Sequence, residues 1–146
     1  MTNVDKAKFL FDQGFNCSQS VLASFANELD ITEEQALKLG ACFGSGMGKS
    51  EVCGACTGAL MALGMKYGQS DIKDLNSKQI TKDITLKFLE KFSNENGTYL
   101  CRELLGCDLR TKEGIEYAKK KNLFTEFCPL MVISAVKIAE NLLKKE

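Results

Sequence analysis

Residues 51–67 read EVCGACTGALMALGMKY, a nearly continuous apolar segment. Its glycines and alanines are small enough to let neighbouring helices approach it closely. A helix that is apolar on all sides belongs at the centre of a protein, because every face then needs a packing partner. We therefore predict a central helix from about Glu51 to Tyr67, with the rest of the chain packed around it.

Outside this segment, apolar residues recur at helical spacing, and no stretch alternates polar and apolar residues for long enough to predict a strand. Candidate N-caps mark four further helix starts: Asn16, Thr32, Thr98 and Thr111. Pro129 suits the first position of a last helix, which makes Cys128 its predicted N-cap. With 146 residues, the chain is long enough to bury a core. We predict an all-α fold, a single compact bundle of about seven to eight helices that covers residues 1–146.

The composition excludes several classes of function. The chain has no histidine and no tryptophan, so an imidazole base, a haem with a histidine ligand and a zinc site with nitrogen ligands are ruled out. Lysine plus arginine equals aspartate plus glutamate, 19 against 19, which gives no electrostatic reason to bind nucleic acid. No apolar run approaches the roughly 18 residues of a membrane span. We expect no nucleic-acid partner and no membrane insertion.

Cysteine is frequent, with seven residues in the chain. The N-terminal segment is polar where a signal peptide would have its apolar region, so we expect a cytoplasmic protein. In a reducing compartment, cysteines serve as buried thiols, metal ligands or redox groups more often than as a disulfide scaffold. The cysteines are therefore the first candidates for chemistry.

Four of the seven cysteines fall at predicted helix starts: Cys17, Cys53, Cys101 and Cys128. Unpaired backbone N–H groups and the helix dipole favour a thiolate there, and the pKa falls from about 8.5 to between roughly 3.5 and 7.5. Thiolate is the form that attacks disulfides and binds metal. In a bundle the four could converge as a thiolate site for zinc or an iron–sulfur cluster. The alternative interpretation treats them as inert packing residues.

Cys53 and Cys56 form a CxxC motif at the start of the central helix, which places both sulfurs on one face. The spacing suits a reversible dithiol, with Cys53 as the attacking thiolate and Cys56 as a resolving partner. The catalytic candidates are these two together with Cys17, Cys101 and Cys128. The candidate metal ligands are Cys17, Cys53, Cys101 and Cys128.

The glycine-rich stretch at residues 44–50, GSGMGKS, looks like a phosphate-binding loop. It lacks the first glycine of that motif, because Phe43 occupies the position, and a predicted helix precedes it where a strand is required. We expect no nucleotide, and instead a tight turn that lays backbone N–H groups over Cys53. The predicted cofactor-binding residues are the glycines of this turn and of the following helix start: Gly44, Gly46, Gly48 and Gly54.

Five stretches also match a known family. They are NCSQSV at 16–21, FGSGMG at 43–48, CGACTGALM at 53–61, CRELLG at 101–106 and the late Cys128. Together they resemble the C_GCAxxG_C_C redox-active proteins over almost the whole chain. The resemblance implies a helical domain of about this length, a redox role and frequent association with an oxidoreductase or transporter system. The four characteristic cysteines of the family correspond to Cys17, Cys53, Cys101 and Cys128.

Three hypotheses remain open at this stage. In the first, residues 1–146 form a cysteine-rich redox domain that uses either dithiol–disulfide exchange or an iron–sulfur cluster. In the second, the four cysteines hold zinc in a structural or sensing module without enzymatic activity. In the third, the protein is a helical interaction domain with inert thiols. The sequence leaves a homodimer open, and it predicts neither haem nor nucleotide.

Overall fold

A computed structural model describes residues 1–144, so residues 145 and 146 of the predicted domain lie outside it. Within that range the fold is all-α, as predicted, with eight α-helices. These are α1 (Asn3–Asp12), α2 (Cys17–Ser24), α3 (Glu33–Gly40), α4 (Gly54–Tyr67), α5 (Leu75–Asn96), α6 (Cys101–Leu105), α7 (Lys112–Lys120) and α8 (Cys128–Lys144). Two short turns, at residues 46–50 and 123–127, precede α4 and α8.

Side-chain caps start several helices where the sequence predicts them. The Asn16 side chain accepts the Gln19 N–H at 2.8 Å, and the Gln19 side chain accepts the Asn16 N–H at 2.9 Å, which completes a capping box on α2. Thr32 caps α3 in the same way, and Thr111 caps α7. The prediction for Thr98 is wrong, because α6 begins at Cys101 with Leu100 as its N-cap.

A short pairing of extended backbone explains the late starts of α4 and α6. Val52 and Leu100 form an antiparallel bridge, in which the Cys53 N–H donates to the Tyr99 carbonyl at 2.8 Å. The Cys101 N–H donates to the Glu51 carbonyl at 2.6 Å. Residues 51–53 are therefore extended, and the central helix begins at Gly54 rather than near Glu51. Helix α4 begins directly after Cys53, and α6 begins directly after Leu100. Both residues belong to the paired segments.

Helix α4 is central, as its composition predicts. Ala55, Ala59 and Ala62 are fully buried, and α2, α5 and α8 all pack against it. The approach of α2 is very close, because a Cβ at Gly58 would lie 2.6 Å from the Ser18 carbonyl oxygen. At Gly54 a Cβ would lie 3.2 Å from the Cys17 Cβ. The absence of side chains at these two glycines brings the start of α2 beside the start of α4.

The last helix presents the predicted apolar stripe to the core. Its buried members are Met131, Ala135, Ile138 and Leu142. Cys128 is not an isolated N-cap, because its φ of −55° and ψ of −39° are helical and the turn at 123–127 leads directly into it. No single helix of residues 1–144 combines the length and the apolar character needed to cross a membrane. The bent pair Lys112–Lys120 and Leu123–Lys144 meets both criteria together, with a bend of 61° between the two helices.

Two glycine substitutions in α4 test the close contact between α2 and α4. Gly58→Ala forces a methyl group against the Ser18 carbonyl, so we expect the free energy of unfolding to fall by about 1–3 kcal/mol. Gly64→Ala is the matched control, because a Cβ there meets nothing within 4 Å, and alanine raises helix stability by up to about 1 kcal/mol. Urea unfolding measures both, and equal effects of the two substitutions would contradict the close packing.

Candidate active site

The starts of α2, α4, α6 and α8 converge on one cavity of about 410 Å³. Its wall contains all four of the cysteines that the sequence places at helix starts: Cys17, Cys53, Cys101 and Cys128. Most of the remaining wall is apolar and comes from Phe11, Phe15, Phe124, Phe127, Met131 and three leucines between residues 104 and 109. Residues far apart in sequence thus place four sulfurs around one space.

Cys53 has the features of a stabilised thiolate. It is the residue immediately before α4, and it is 6% exposed. The Cys56 thiol donates a hydrogen bond to the Cys53 sulfur and lowers the Cys53 pKa, and the backbone N–H groups of Ala55 and Cys56 lower it further. Burial acts in the opposite direction but does not outweigh these donors. These donors therefore favour the charged form of Cys53.

Cys56 lies behind Cys53 in the core. It is fully buried, and among residues 1–144 it is not one of those that line the cavity. Burial raises the Cys56 pKa most, and the hydrogen bond to Cys53 together with the charge of Cys53 raises it further. The sulfur that faces the cavity therefore loses its proton more readily than the sulfur behind it.

Cys17 and Cys128 form a second pair of the same kind. The Cys17 thiol donates a hydrogen bond to the Cys128 sulfur, which raises the pKa of Cys17 and lowers the pKa of Cys128. Burial and the nearby charge of Cys53 also raise the Cys17 pKa. Unlike Cys56, both members of this pair line the cavity.

Cys101 lies between the two pairs. Burial raises its pKa to about 12, and the negative charges of Cys53 and Cys128 add to the effect. The Ser50 hydroxyl partly offsets this by donating a hydrogen bond to the Cys101 sulfur. Cys101 is thus a protonated thiol at neutral pH, and it lies close enough to Cys53 and Cys128 for a charge on either sulfur to raise its pKa.

Ser50 is a functional candidate that the sequence analysis does not identify. Its side chain is fully buried, and its Oγ accepts the Leu109 N–H at 2.7 Å. Arg102 reaches the Ser50 carbonyl at 3.2 Å and the Glu51 carboxylate at 2.9 Å, which fastens the same turn to α6. The only signal in the sequence is the glycine-rich context of Ser50, and that context suggests a phosphate loop instead.

The glycine turn shapes the backbone and does not supply the predicted donors. Of the four predicted cofactor-binding glycines, Gly54 lines the cavity, whereas Gly44, Gly46 and Gly48 are not part of its wall in the described chain. Gly46 and Gly48 have positive φ, and a Cβ at Gly46 would lie 2.3 Å from the Glu51 nitrogen. The N–H groups that hydrogen-bond the Cys53 sulfur belong to Ala55 and Cys56, in the first turn of α4. The start of α4, and not the glycine turn, therefore covers the sulfur.

Charge in the cavity wall is sparse and negative. The wall includes exposed residues, so the cavity reaches solvent; these are Asp12 at the end of α1, Gly14, Ser45 and Thr125. Among residues 1–144, no lysine or arginine lines the cavity. The polar part of the wall comes from Asp12, Asn16, Ser45, Thr125 and the cysteines.

All seven cysteines are free thiols in this structure. Cys42 is exposed, and Cys107 is half-buried against the small apolar cluster that contains Cys101. In the described part of the chain, no group of three or more cysteine, histidine, aspartate or glutamate side chains is arranged to hold a metal ion. The four-thiolate metal site at Cys17, Cys53, Cys101 and Cys128 stays a prediction.

Comparison with known proteins gives one match. The family model described as "Putative redox-active protein (C_GCAxxG_C_C)" matches residues 15–142. The matched region includes the four cysteines of the cavity wall and Cys56. No curated protein and no solved structure matches the chain.

Removing the donor at Cys56 tests the stabilisation of the Cys53 thiolate. In Cys56→Ala the Cys53 sulfur loses a hydrogen bond that favours its charged form, so its pKa rises and less thiolate is present at neutral pH. We expect the alkylation of Cys53 by iodoacetamide to slow at pH 7 and its pH profile to move to higher pH, as followed by mass spectrometry. Cys56→Ser keeps a donor and should move the profile less. An unchanged profile in Cys56→Ala would contradict the hydrogen bond.

A pair of buried serines tests the role of Ser50. Ser50→Ala leaves the buried Leu109 N–H without its acceptor, which costs about 1–3 kcal/mol of stability, and the Cys101 pKa should rise further because its donor is lost. Ser20→Ala is the control, since Ser20 is also fully buried but its hydroxyl has no hydrogen-bond partner in the described chain. We expect Ser20→Ala to change stability by less than about 0.5 kcal/mol. Chemical denaturation compares the two variants.

Proposed function

Because this chain belongs to the C_GCAxxG_C_C family of redox-active proteins, we propose that it carries out thiol–disulfide exchange, with Cys53 as the attacking thiolate and Cys56 as the resolving thiol. The observation that carries the proposal is the hydrogen bond from Cys56 to Cys53 at the wall of a cavity. It brings a stabilised thiolate and a protonated thiol into direct contact, which is the arrangement that a reversible dithiol requires.

The reaction proceeds in two balanced steps. The Cys53 thiolate attacks one sulfur of a substrate disulfide, which forms a mixed disulfide and releases the other half of the substrate as a thiolate. Cys56 then gives up its proton and attacks the Cys53 sulfur, which forms the Cys53–Cys56 disulfide and releases the second half of the substrate as a thiol. Two cysteines lose two electrons in total, and the substrate disulfide gains them.

The charge on Cys53 sets the order of the two steps. While Cys53 is a thiolate, its charge and the surrounding apolar core keep Cys56 protonated. Once Cys53 is in a mixed disulfide that charge is gone, so Cys56 can ionise at lower cost and resolve the intermediate. The attacking and resolving roles therefore follow from position: Cys53 faces the cavity and Cys56 lies behind it.

The second pair gives the protein a further dithiol. Cys128 is the member with the lowered pKa, and Cys17 is its protonated donor. Cys101 lies near both Cys53 and Cys128, since the charges of both raise its pKa. In this proposal Cys101 gives up its proton and attacks Cys53 in the Cys53–Cys56 disulfide, which frees Cys56. Cys128 then attacks Cys101 and frees Cys53. Cys17 finally attacks Cys128, which frees Cys101 and leaves a Cys17–Cys128 disulfide.

Substitution of single cysteines in the reduced protein tests the function. With hydroxyethyl disulfide as oxidant, we expect peptide mapping to find a Cys53–Cys56 disulfide in the wild type. Cys53→Ser should slow thiol loss about a hundredfold or more, because a serine hydroxyl does not replace a thiolate. Cys56→Ser should accumulate a mixed disulfide at Cys53. Cys42→Ser is the control, because Cys42 is exposed and does not line the cavity as described.

Metal analysis separates this proposal from the alternatives with zinc or an iron–sulfur cluster. The measurement is the zinc, iron and acid-labile sulfide content of protein purified without oxygen. We expect less than one equivalent of each and thiols that react with alkylating reagents. One equivalent of zinc, or iron with matching sulfide, that is lost on substitution of Cys17 or Cys101 would overturn dithiol exchange in favour of a metal centre.

A further inference from the structure

We propose that the cavity binds a small, uncharged, largely aromatic disulfide as the substrate of Cys53, an assignment that rests on the thiol–disulfide function proposed above. It is drawn from the size, the composition and the charge of the cavity wall. The site would thus discriminate against disulfides that carry carboxylates, whatever their intrinsic reactivity.

The size of the cavity suits a small molecule. Its volume of about 410 Å³ lies within the roughly 300–1,000 Å³ that small-molecule pockets occupy. Four helix starts and the turn at 123–127 surround it, and the Cys53 sulfur lies in its wall with 6% of the residue exposed. A substrate must therefore enter the cavity to reach the sulfur, which favours a compact disulfide over one held on a protein surface.

The composition of the cavity wall favours a substrate with aromatic groups. Four phenylalanines line the cavity on different elements: Phe11 on α1, Phe15 after it, and Phe124 and Phe127 on the turn before α8. Phenylalanine rings in a pocket wall attract aromatic groups by stacking, in addition to the burial of apolar surface. Met131 and Leu105 complete an apolar surface whose sulfur and methyl groups also pack well on rings.

The charge of the site excludes anionic substrates. Asp12 stands at the rim, and the attacking thiolate brings a second negative charge, while no lysine or arginine of residues 1–144 lines the cavity. The N–H groups of Ala55 and Cys56 at the start of α4 already hydrogen-bond the Cys53 sulfur. A substrate carboxylate that entered would lose water and meet no cationic side chain of residues 1–144, which is costly at the low effective dielectric of a protein interior.

Two chromogenic aromatic disulfides test the charge preference directly. Dithiodipyridine is uncharged at pH 7, whereas dithiobis(nitrobenzoate) carries two carboxylates. The measured quantity is the rate constant with reduced protein, divided by the rate constant of the same reagent with mercaptoethanol in order to remove intrinsic reactivity. We expect the normalised rate to favour dithiodipyridine by about tenfold or more.

A charge placed on the rim should reverse part of this preference. Thr125 is an exposed residue of the wall, so Thr125→Lys is expected to raise the normalised rate with dithiobis(nitrobenzoate), relative to that with dithiodipyridine, by about three- to tenfold. Ser70→Lys is the matched control, because it adds the same charge at an exposed position outside the cavity wall. It should change neither rate.

Two phenylalanine substitutions test whether the cavity wall stacks on an aromatic substrate. Phe124→Ala is expected to slow dithiodipyridine about three- to tenfold, because a stacking face is lost. Phe9→Ala removes a phenylalanine that is 50% exposed and lies outside the cavity wall, so it should leave the rate unchanged. Circular dichroism of each variant verifies that a slower reaction does not reflect unfolding.

The outcomes separate this assignment from the function on which it rests. If Cys53→Ser reacts as fast as the wild type with both reagents, the dithiol function itself fails. If both reagents react at Cys53 with equal normalised rates, or if Thr125→Lys and Ser70→Lys behave alike, the dithiol function stands and the assignment of a neutral aromatic substrate is overturned.

Discussion

The helix starts share one cavity because α2 lies against α4 with almost no side chain between them. A Cβ at Gly58 would overlap the Ser18 carbonyl, and one at Gly54 would press on Cys17. Larger residues at these positions would push the start of α2 away from the start of α4, and the pair at Cys17 and Cys128 would separate from Cys53. The position of the sulfurs thus depends on a steric constraint in the core, away from the sulfurs themselves.

A second constraint is electrostatic. Four thiols around an apolar cavity do not all ionise. Each additional negative charge is disfavoured by the low-dielectric surroundings and is repelled by the charges already present. In each of two pairs, a hydrogen bond lowers the pKa of one thiol and raises the pKa of its donor. Cys56 donates to Cys53 and Cys17 donates to Cys128, while burial raises the Cys101 pKa to about 12. Helix geometry and packing provide these hydrogen bonds, and they decide which sulfur of each pair loses its proton more readily.

The backbone pairing of residues 51–53 with 99–101 links these two constraints. It fixes Cys53 and Cys101 at the ends of neighbouring extended segments, from which α4 and α6 start into the bundle. Ser50, one residue before the pairing, joins the Leu109 N–H and the Cys101 sulfur through one hydroxyl. Such a network is rigid, which suits a site where small changes in distance alter thiol pKa values.

The sequence by itself determines the helical fold, the central position of the apolar segment at 51–67 and the placement of four cysteines near helix starts, because these depend on local properties: periodicity, caps such as Asn16 and Thr32, and small residues. It also determines the family, through motifs whose order and spacing are specific. The CxxC spacing already places Cys56 beside Cys53 at one helix start. Only the tertiary structure decides that Cys17 donates to Cys128 and that Ser50 reaches Cys101. Those contacts join residues that are far apart in the sequence, and no local pattern encodes the distance between two side chains on different helices.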